Sequence, residues 1–125
     1  MKLLLDTHAL LWWLDDDTRL SPTARELIAD PANDVLVSAV SLWEIVVKAR
    51  IGKLDADIAD ILRVVDESGF TRLGVTDAHL RVLRDLPQHH RDPFDHLLIA
   101  QAMAEHAEFC SADAWAQAYG VRLVA

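Results

Sequence analysis

Short apolar runs alternate with longer segments of helical periodicity along this chain of 125 residues. Residues 3–5, 35–37 and 109–110 are apolar without interruption, which is typical of strands covered on both faces in a parallel sheet. Residues 70–73 and 121–124 are weaker strand candidates. Strands that alternate with helices indicate a parallel sheet between helices. We therefore predict an α/β fold with three α/β/α layers and a short central parallel sheet.

Helix start and stop signals divide the segments between these runs. Ser21 before Pro22, and Asp92 before Pro93, each pair a favoured capping residue with proline at the first helical position. Gly52 marks the end of the helix that begins at residue 38. The predicted helices cover residues 9–14, 22–29, 38–54, 56–67, 77–86, 93–104 and 114–119.

Composition indicates one domain. Of the residues, 52% are hydrophobic and no Gly-, Pro- or Ser-rich linker divides the chain, so residues 1–125 are expected to form a single domain with its own core.

No apolar run reaches the length of about 18 residues that a membrane helix needs, and Met1 and Lys2 lead directly into a strand. We therefore expect a cytoplasmic protein without membrane contact. Cys110 is the only cysteine, so it has no partner for a disulfide within the chain and is expected to be a buried thiol.

Net charge limits the kinds of partner. The formal charge is −8, from 20 acidic residues against 12 Lys and Arg, which argues against broad electrostatic binding of nucleic acid by the isolated chain. It does not argue against a metal site, because acidic residues gathered in one place attract divalent cations and a bound ion changes the local sign of the charge.

Four acidic residues are predicted to meet at one edge of the sheet. Asp6 and Asp113 each follow a predicted strand, while Glu44 and Asp95 fall near the starts of helices that run back from the same edge. Because right-handed crossovers join parallel strands, the carboxyl ends of the strands share one edge, where open α/β sheets bind ligands.

Helix capping is the competing explanation for these acids. Asp6 directly precedes a helix, where Asp is a favoured cap. Ser41 and Glu44 have the spacing of a capping box, and Asp95 stands at the third helical position, where an acid serves a capping box or the helix dipole. Any one of these residues is explained by capping alone, but together the four acids form a cluster where such sheets bind ligands.

Clustered carboxylates need a compensating charge. Two carboxylates about 4 Å apart repel by roughly 1 kcal/mol in water and by about 4 kcal/mol at an effective dielectric constant near 20. A divalent cation removes this repulsion. Since the cluster offers oxygen ligands, with no Cys or His at zinc spacing, Mg²⁺ or Mn²⁺ is the preferred ion. Such an ion can activate water and stabilise in-line displacement at phosphorus.

Basic residues and histidines near these segments keep more than one interpretation. The basic residues either lie at solvated helix ends or flank the acidic edge, and the sequence leaves both interpretations open. We assign no catalytic role to the histidines. The basic residues are Lys48, Arg50, Lys53 and Arg91, and the histidines are His8, His89, His90 and His96.

Four segments resemble a known family in their motifs and order. They are LLLDTHALLWWL, SAVSLWEIVVKARIGKL, RDPFDHLLIAQAMAEH and SADAWAQAYGVRLV, and together they cover most of the chain. They are similar to the segments of PIN-domain ribonucleases, specifically the VapC toxins of VapBC toxin–antitoxin modules.

The resemblance implies a PIN-like fold, a set of site residues and a set of partners. It implies that Asp6, Glu44, Asp95 and Asp113 form the acidic metal site. Thr7 and Ser111 are implied as supporting hydroxyls. The implied activity is Mg²⁺- or Mn²⁺-dependent endoribonuclease cleavage of RNA, often tRNA or rRNA. The implied partners are a VapB-like antitoxin whose tail blocks the site, a second copy in a homodimer and a larger toxin–antitoxin complex.

Two positions depart from the commonest family pattern. His96 stands where arginine often follows the third acid, and Ala116 where a bulky residue is frequent after the fourth. These departures bear on RNA contacts and local packing.

Three other function classes share parts of the pattern. Haloacid-dehalogenase phosphatases also begin from Asp at a strand end, but His8 takes the place of their second acid. Phospho-receiver domains have a lysine after a late strand, and none lies near Asp113. A non-catalytic binding module predicts that acid-to-amide changes leave the activity of the protein intact. Phosphomonoesterase, acyl-phosphate and RNA-cleavage assays separate these classes.

Overall fold

The five predicted strands form one sheet in the computed structural model, which describes residues 1–125. All neighbouring strands are parallel, in the order β3-β2-β1-β4-β5. The strands are β1 (Lys2–Leu5), β2 (Asp34–Ser38), β3 (Thr71–Leu73), β4 (Glu108–Cys110) and β5 (Leu123–Val124). β1 is therefore central, with β2 on one side and β4 on the other.

Seven helices lie between or beside the strands. They are α1 (Thr7–Leu14), α2 (Pro22–Ala29), α3 (Ala39–Arg50), α4 (Ile58–Glu67), α5 (Asp77–Asp85), α6 (Pro93–Ala104) and a 3₁₀ helix (Ala114–Tyr119). None of them is long and apolar enough to cross a membrane.

Two apolar clusters cover the two faces of the sheet, as the three-layer prediction requires. Successive strand residues point to opposite faces, so Leu3 and Leu5 belong to one cluster and Leu4 to the other. The first cluster includes residues of α1, α2, α3 and α4, and the second is built mainly by α6, the 3₁₀ helix and Phe109 of β4. The predicted α/β/α fold with a parallel sheet is confirmed.

Capping explains where several helices begin. The Ser21 hydroxyl accepts the Ala24 amide at 3.1 Å, and Asp92 Oδ1 accepts the amides of Phe94 and Asp95 at 2.9 and 3.2 Å. Both predicted cap–proline pairs are therefore confirmed.

Several predicted bounds differ from those of the structure, including the start of α1, which begins at Thr7 rather than at residue 9. α3 ends at Arg50, not at residue 54, because Gly52 takes a left-handed conformation (φ +75°) and Lys53 N–H turns back to the Lys48 carbonyl. α4 begins at Ile58, because Asp57 caps it. The closing helix has the predicted bounds and is a 3₁₀ helix, and β5 is two residues long rather than the predicted four.

Candidate metal centre

The ends of β1 and β4 and the first turns of α3 and α6 meet at the carboxyl edge of the sheet. Asp6 follows β1 and caps α1, and Asp113 follows β4 and caps the 3₁₀ helix. Asp95 lies in the first turn of α6 and Glu44 in the second turn of α3. Each acid is therefore held by a different element.

Asp95 and Asp113 belong to a compact group that also includes His90. One carboxylate oxygen from each, together with a ring nitrogen of His90, lies within 4.8 Å of the others. The pKa of Asp95 is raised to about 8, most by burial and then by the charges of Asp92, Asp6, Glu44 and Asp113, in that order. The negative charges of the other three acids at this edge therefore all disfavour ionisation of Asp95.

Asp6 is a cap and a member of the edge at once. Its Oδ1 accepts the Ala9 amide at 2.7 Å, and its own amide donates to the Cys110 carbonyl at 2.9 Å, joining the end of β1 to β4. Burial raises the pKa of Asp6, while the Ser111 hydroxyl and the Ala9 amide oppose that rise. The Ser111 hydroxyl also accepts the Asp113 amide at 3.0 Å. Ser111 thus links two of the four acids.

Glu44 is buried but compensated within the chain. The Thr7 hydroxyl donates to Glu44 Oε1 at 2.6 Å, and the Lys48 ammonium, one helical turn away, binds Oε2. This pairing raises the pKa of Lys48. Glu44 and Asp6 both lie outside the compact group that Asp95, Asp113 and His90 form.

The capping-box explanation of Glu44 was wrong. The N-cap of α3 is Ser38, whose hydroxyl accepts the Val40 amide at 3.0 Å, so Glu44 stands too far along the helix to reach the cap. Ser41 lies 3.1 Å from the Thr7 hydroxyl oxygen. Because the Thr7 proton is donated to the carboxylate of Glu44, Ser41 is left to donate to Thr7.

Two open pockets flank the acids. One, of about 410 Å³, is lined by Glu44, Lys48 and Lys53 among others. The other, of about 490 Å³, is lined by Arg91, Trp115 and the adjoining residues 88–90. Three of the four predicted flanking cations therefore line pockets beside the site, and Arg50 is exposed on the last turn of α3.

His90 lies beside the acids, although its sequence position indicates no role there. His90 Nε2 lies 3.5 Å from Asp95 Oδ2, and His90 Nδ1 lies 2.7 Å from the Tyr119 hydroxyl. The only sequence signal was the polar segment between α5 and α6, since the contact with Tyr119 spans 29 residues. His96 is buried and donates from Nε2 to the His90 carbonyl at 2.7 Å, so it holds this loop rather than facing solvent.

The stability of the metal-free protein is expected to fall as pH rises from about 4 to about 8. Asp95 in the unfolded chain ionises near its ordinary pKa of 3.8, whereas the folded protein keeps the proton up to about pH 8. The folded state thus binds more protons in this window, and each rise in pH favours unfolding. Denaturant unfolding at several pH values measures the slope, which should be flatter in Asp95→Asn. Equal slopes in the two proteins would contradict this assignment.

Comparison with known proteins gives a consistent result. The PIN domain family model matches residues 3–120. No curated protein matches the chain. VapBC2 from Rickettsia felis, solved bound to a DNA fragment from its promoter, is 15% identical with a TM-score of 0.76, over 99% of this chain and 98% of that chain. VapBC-1 from nontypeable Haemophilus influenzae is 12% identical with a TM-score of 0.66, over 99% of this chain and 97% of that chain.

A third solved structure has the same fold. VapBC-5 of the VapBC family of toxin–antitoxin systems, from Mycobacterium tuberculosis, is 20% identical with a TM-score of 0.62, over 98% of this chain and 95% of that chain. At such identities the likeness concerns the fold, whereas the family match spans almost every residue, including all four acids of the edge. The chain belongs to the PIN domain family.

Proposed function

We propose that this protein is the toxin of a toxin–antitoxin module and acts as a metal-dependent endoribonuclease. The observation that carries the proposal is the meeting of four acids at one edge of the sheet, where oxygens of Asp95 and Asp113 lie within 4.8 Å of each other. Burial, and then the charges of Asp92, Asp6, Glu44 and Asp113, raise the pKa of Asp95 there. Lys48 compensates Glu44, and it is the one lysine or arginine paired with any of these four acids. A divalent cation supplies the positive charge that Asp95 and its neighbours lack.

The donor set fits a hard cation. Asp95 and Asp113 offer carboxylate oxygens within 4.8 Å of each other, and Asp6 and Glu44 add two more carboxylates around them. Oxygen ligands of this kind suit Mg²⁺ or Mn²⁺. We therefore assign the metal to Asp6, Glu44, Asp95 and Asp113, with Thr7 and Ser111 as supporting hydroxyls.

The chemistry that a bound Mg²⁺ or Mn²⁺ supplies at such a site is activation of water and neutralisation of phosphate charge. The residues of the chain hold the acids in position and bind the RNA backbone. Thr7 holds Oε1 of Glu44, and Ser111 holds the backbone amide of Asp113, so these two acids keep fixed positions. Lys53 and Arg91 line the flanking pockets and offer cations to the RNA backbone on either side of the scissile phosphate.

The toxin assignment rests on the family and on the solved structures of like fold. Those structures are VapBC complexes, and one of them is described as a member of a family of toxin–antitoxin systems. By this likeness we propose a VapB-like antitoxin, a homodimer and a larger toxin–antitoxin complex as the partners of this chain. An antitoxin that covers the acidic edge would keep RNA from it.

RNA cleavage by the purified protein is expected to require Mg²⁺ or Mn²⁺ and to stop in excess chelator. Because water rather than the ribose 2′-hydroxyl attacks phosphorus, the products should carry 5′-phosphate and 3′-hydroxyl ends. Gel assays with end analysis measure both. Full cleavage in chelator, or 2′,3′-cyclic phosphate ends, would refute the proposal.

Two parallel assays cover the other enzyme classes. Hydrolysis of a phosphomonoester would indicate a phosphatase, and labelling by an acyl phosphate would indicate a phospho-receiver. We expect neither at a rate comparable with RNA cleavage, since His8 replaces the second acid of the phosphatase pattern. A protein inactive in all three assays would be a binding module.

A further inference from the structure

The loop between α5 and α6 carries one imidazole into the acidic edge. The side chain of His90 is 9% exposed and packs beside the rings of Trp115, His96 and Tyr119. Its Nε2 lies 3.5 Å from Asp95 Oδ2. His90 Nε2 is also the only buried side-chain nitrogen or oxygen atom in the chain without a hydrogen-bond partner. A polar atom left unpaired beside a carboxylate calls for an explanation.

Tyr119 determines which ring nitrogen of His90 carries the proton. The Tyr119 hydroxyl oxygen accepts the backbone amides of His89 and His90, at 2.9 and 3.2 Å, and these two bonds use its acceptor capacity. Its own proton is then free to be donated to His90 Nδ1, 2.7 Å away. Nδ1 is therefore the acceptor, and in the neutral ring Nε2 carries the hydrogen.

An Nε2–H group has no lone pair for a metal. The compact group of His90, Asp95 and Asp113 has the separations of a three-ligand cation site, but this tautomer leaves His90 only a hydrogen to offer. Nε2 lies 3.5 Å from Oδ2 of Asp95, whose carboxylate accepts hydrogen bonds when it is ionised. Carboxylates that bind metals are themselves commonly oriented by such donors.

Further hydrogen bonds hold the loop that carries the ring of His90. Besides the two amides that Tyr119 accepts, the carbonyl of His90 accepts Nε2–H of His96 at 2.7 Å. Backbone and ring of His90 are thus fixed from the 3₁₀ helix and from α6. This also gives His96, where arginine is common in the family, a defined role at the base of the loop.

We propose that His90 is a positioning residue whose Nε2–H holds the Asp95 carboxylate in its cation-binding orientation, while His90 itself binds no cation. The inference rests on the proposed metal-dependent function. The 3.5 Å separation in the metal-free protein is expected to shorten when Asp95 is charged and a cation is bound, as such hydrogen bonds commonly do.

The first test measures the tautomer by ¹⁵N-resolved NMR of the histidine rings in the metal-free full chain, near pH 8 where ordinary imidazoles are neutral. We expect a protonated Nε2 and an unprotonated Nδ1 for His90, unchanged by saturating Mg²⁺. In Tyr119→Phe, which lacks the hydroxyl donor, we expect the Nδ1–H form to become populated. A wild-type Nδ1–H tautomer, or loss of the Nε2 proton on adding Mg²⁺, would overturn the inference.

The second test measures Mg²⁺ affinity by calorimetry. His90→Met removes the donor at similar size and should raise the Kd for Mg²⁺ by about 10- to 100-fold. His90→Gln, whose amide nitrogen reaches the place of Nε2, should restore part of the affinity. His89→Gln is the matched control on the exposed neighbour and should bind Mg²⁺ like wild type. Equal affinities in wild type, His90→Met and His90→Gln would overturn the inference.

Failure of the inference and failure of the proposed function are distinguishable. A wild-type chain that shows the expected tautomer and Mg²⁺ affinities but cleaves no RNA would count against the proposed function alone. A wild-type chain that binds no Mg²⁺ would overturn both. If His90→Met does not fold, the tautomer of wild-type His90 and its response to Mg²⁺ still test the inference.

Discussion

Asp95→Asn is expected to reduce RNA cleavage by about 10³-fold or more while leaving the metal-free fold at least as stable as wild type. The loss follows because a metal ligand supports several kcal/mol of transition-state stabilisation, and each 1.4 kcal/mol is about tenfold in rate. The stability follows because burial and the surrounding carboxylates oppose the charge of Asp95. An amide of the same shape carries no charge to oppose.

Asp92 provides the matched control three residues earlier. It caps α6 through the amides of Phe94 and Asp95, so Asp92→Ala should lower the free energy of unfolding by about 1 kcal/mol, partly offset by relief of repulsion at Asp95. Asp92→Asn keeps a capping oxygen and removes only the charge. Both variants should still cleave RNA.

Thermal melts with and without Mg²⁺ separate the ligand from the cap. At roughly 100 times its Kd, a bound ion stabilises the fold by about 2.7 kcal/mol. We expect this shift in wild type and in both Asp92 variants, and a much smaller one in Asp95→Asn. If Asp95→Asn kept activity and shift while Asp92→Ala lost both, the two roles would be reversed.

Expression of the wild-type chain alone is expected to arrest bacterial growth, and expression of Asp6→Asn is not. Asn keeps an oxygen that accepts the Ala9 amide, so the start of α1 should remain capped while the negative charge is lost. Growth curves at protein levels matched by immunoblot measure the difference. Co-expression of the small antitoxin encoded nearby should restore growth of the wild type.

A folding control makes the growth experiment decisive. Circular dichroism of purified Asp6→Asn should match wild type, which excludes unfolding as the cause of harmlessness. Equal growth of strains that express wild type and Asp6→Asn would remove the toxin assignment, whatever the activity measured in vitro.

The sequence predicted the sheet and the convergence of the acids because both depend on local patterns. An uninterrupted apolar run followed by Asp6 is a strand with a polar residue at its end, and strand ends of a parallel sheet share an edge. The bounds of α3 were less predictable, because its apolar stripe continues beyond Arg50 while the backbone already turns at Gly52.

The role of His90 could not be predicted, because it depends on the proton of a distant hydroxyl. Nothing near residue 90 indicates that Tyr119 accepts two amides of this loop and donates to the ring. The ion pair of Glu44 with Lys48, in contrast, was predictable from the sequence, since the two residues stand four apart on one helix.

The central place of β1 has a consequence for synthesis on the ribosome. Asp6 emerges first, yet the backbone bond that fixes it is made with Cys110, and β4 pairs with β1 across more than a hundred residues of intervening chain. At about 5–20 residues per second, roughly 5–20 s pass between the synthesis of Asp6 and that of Asp113. During this time the four acids cannot all come together. The proposed metal site therefore cannot be complete until almost the last residue of the chain has been added.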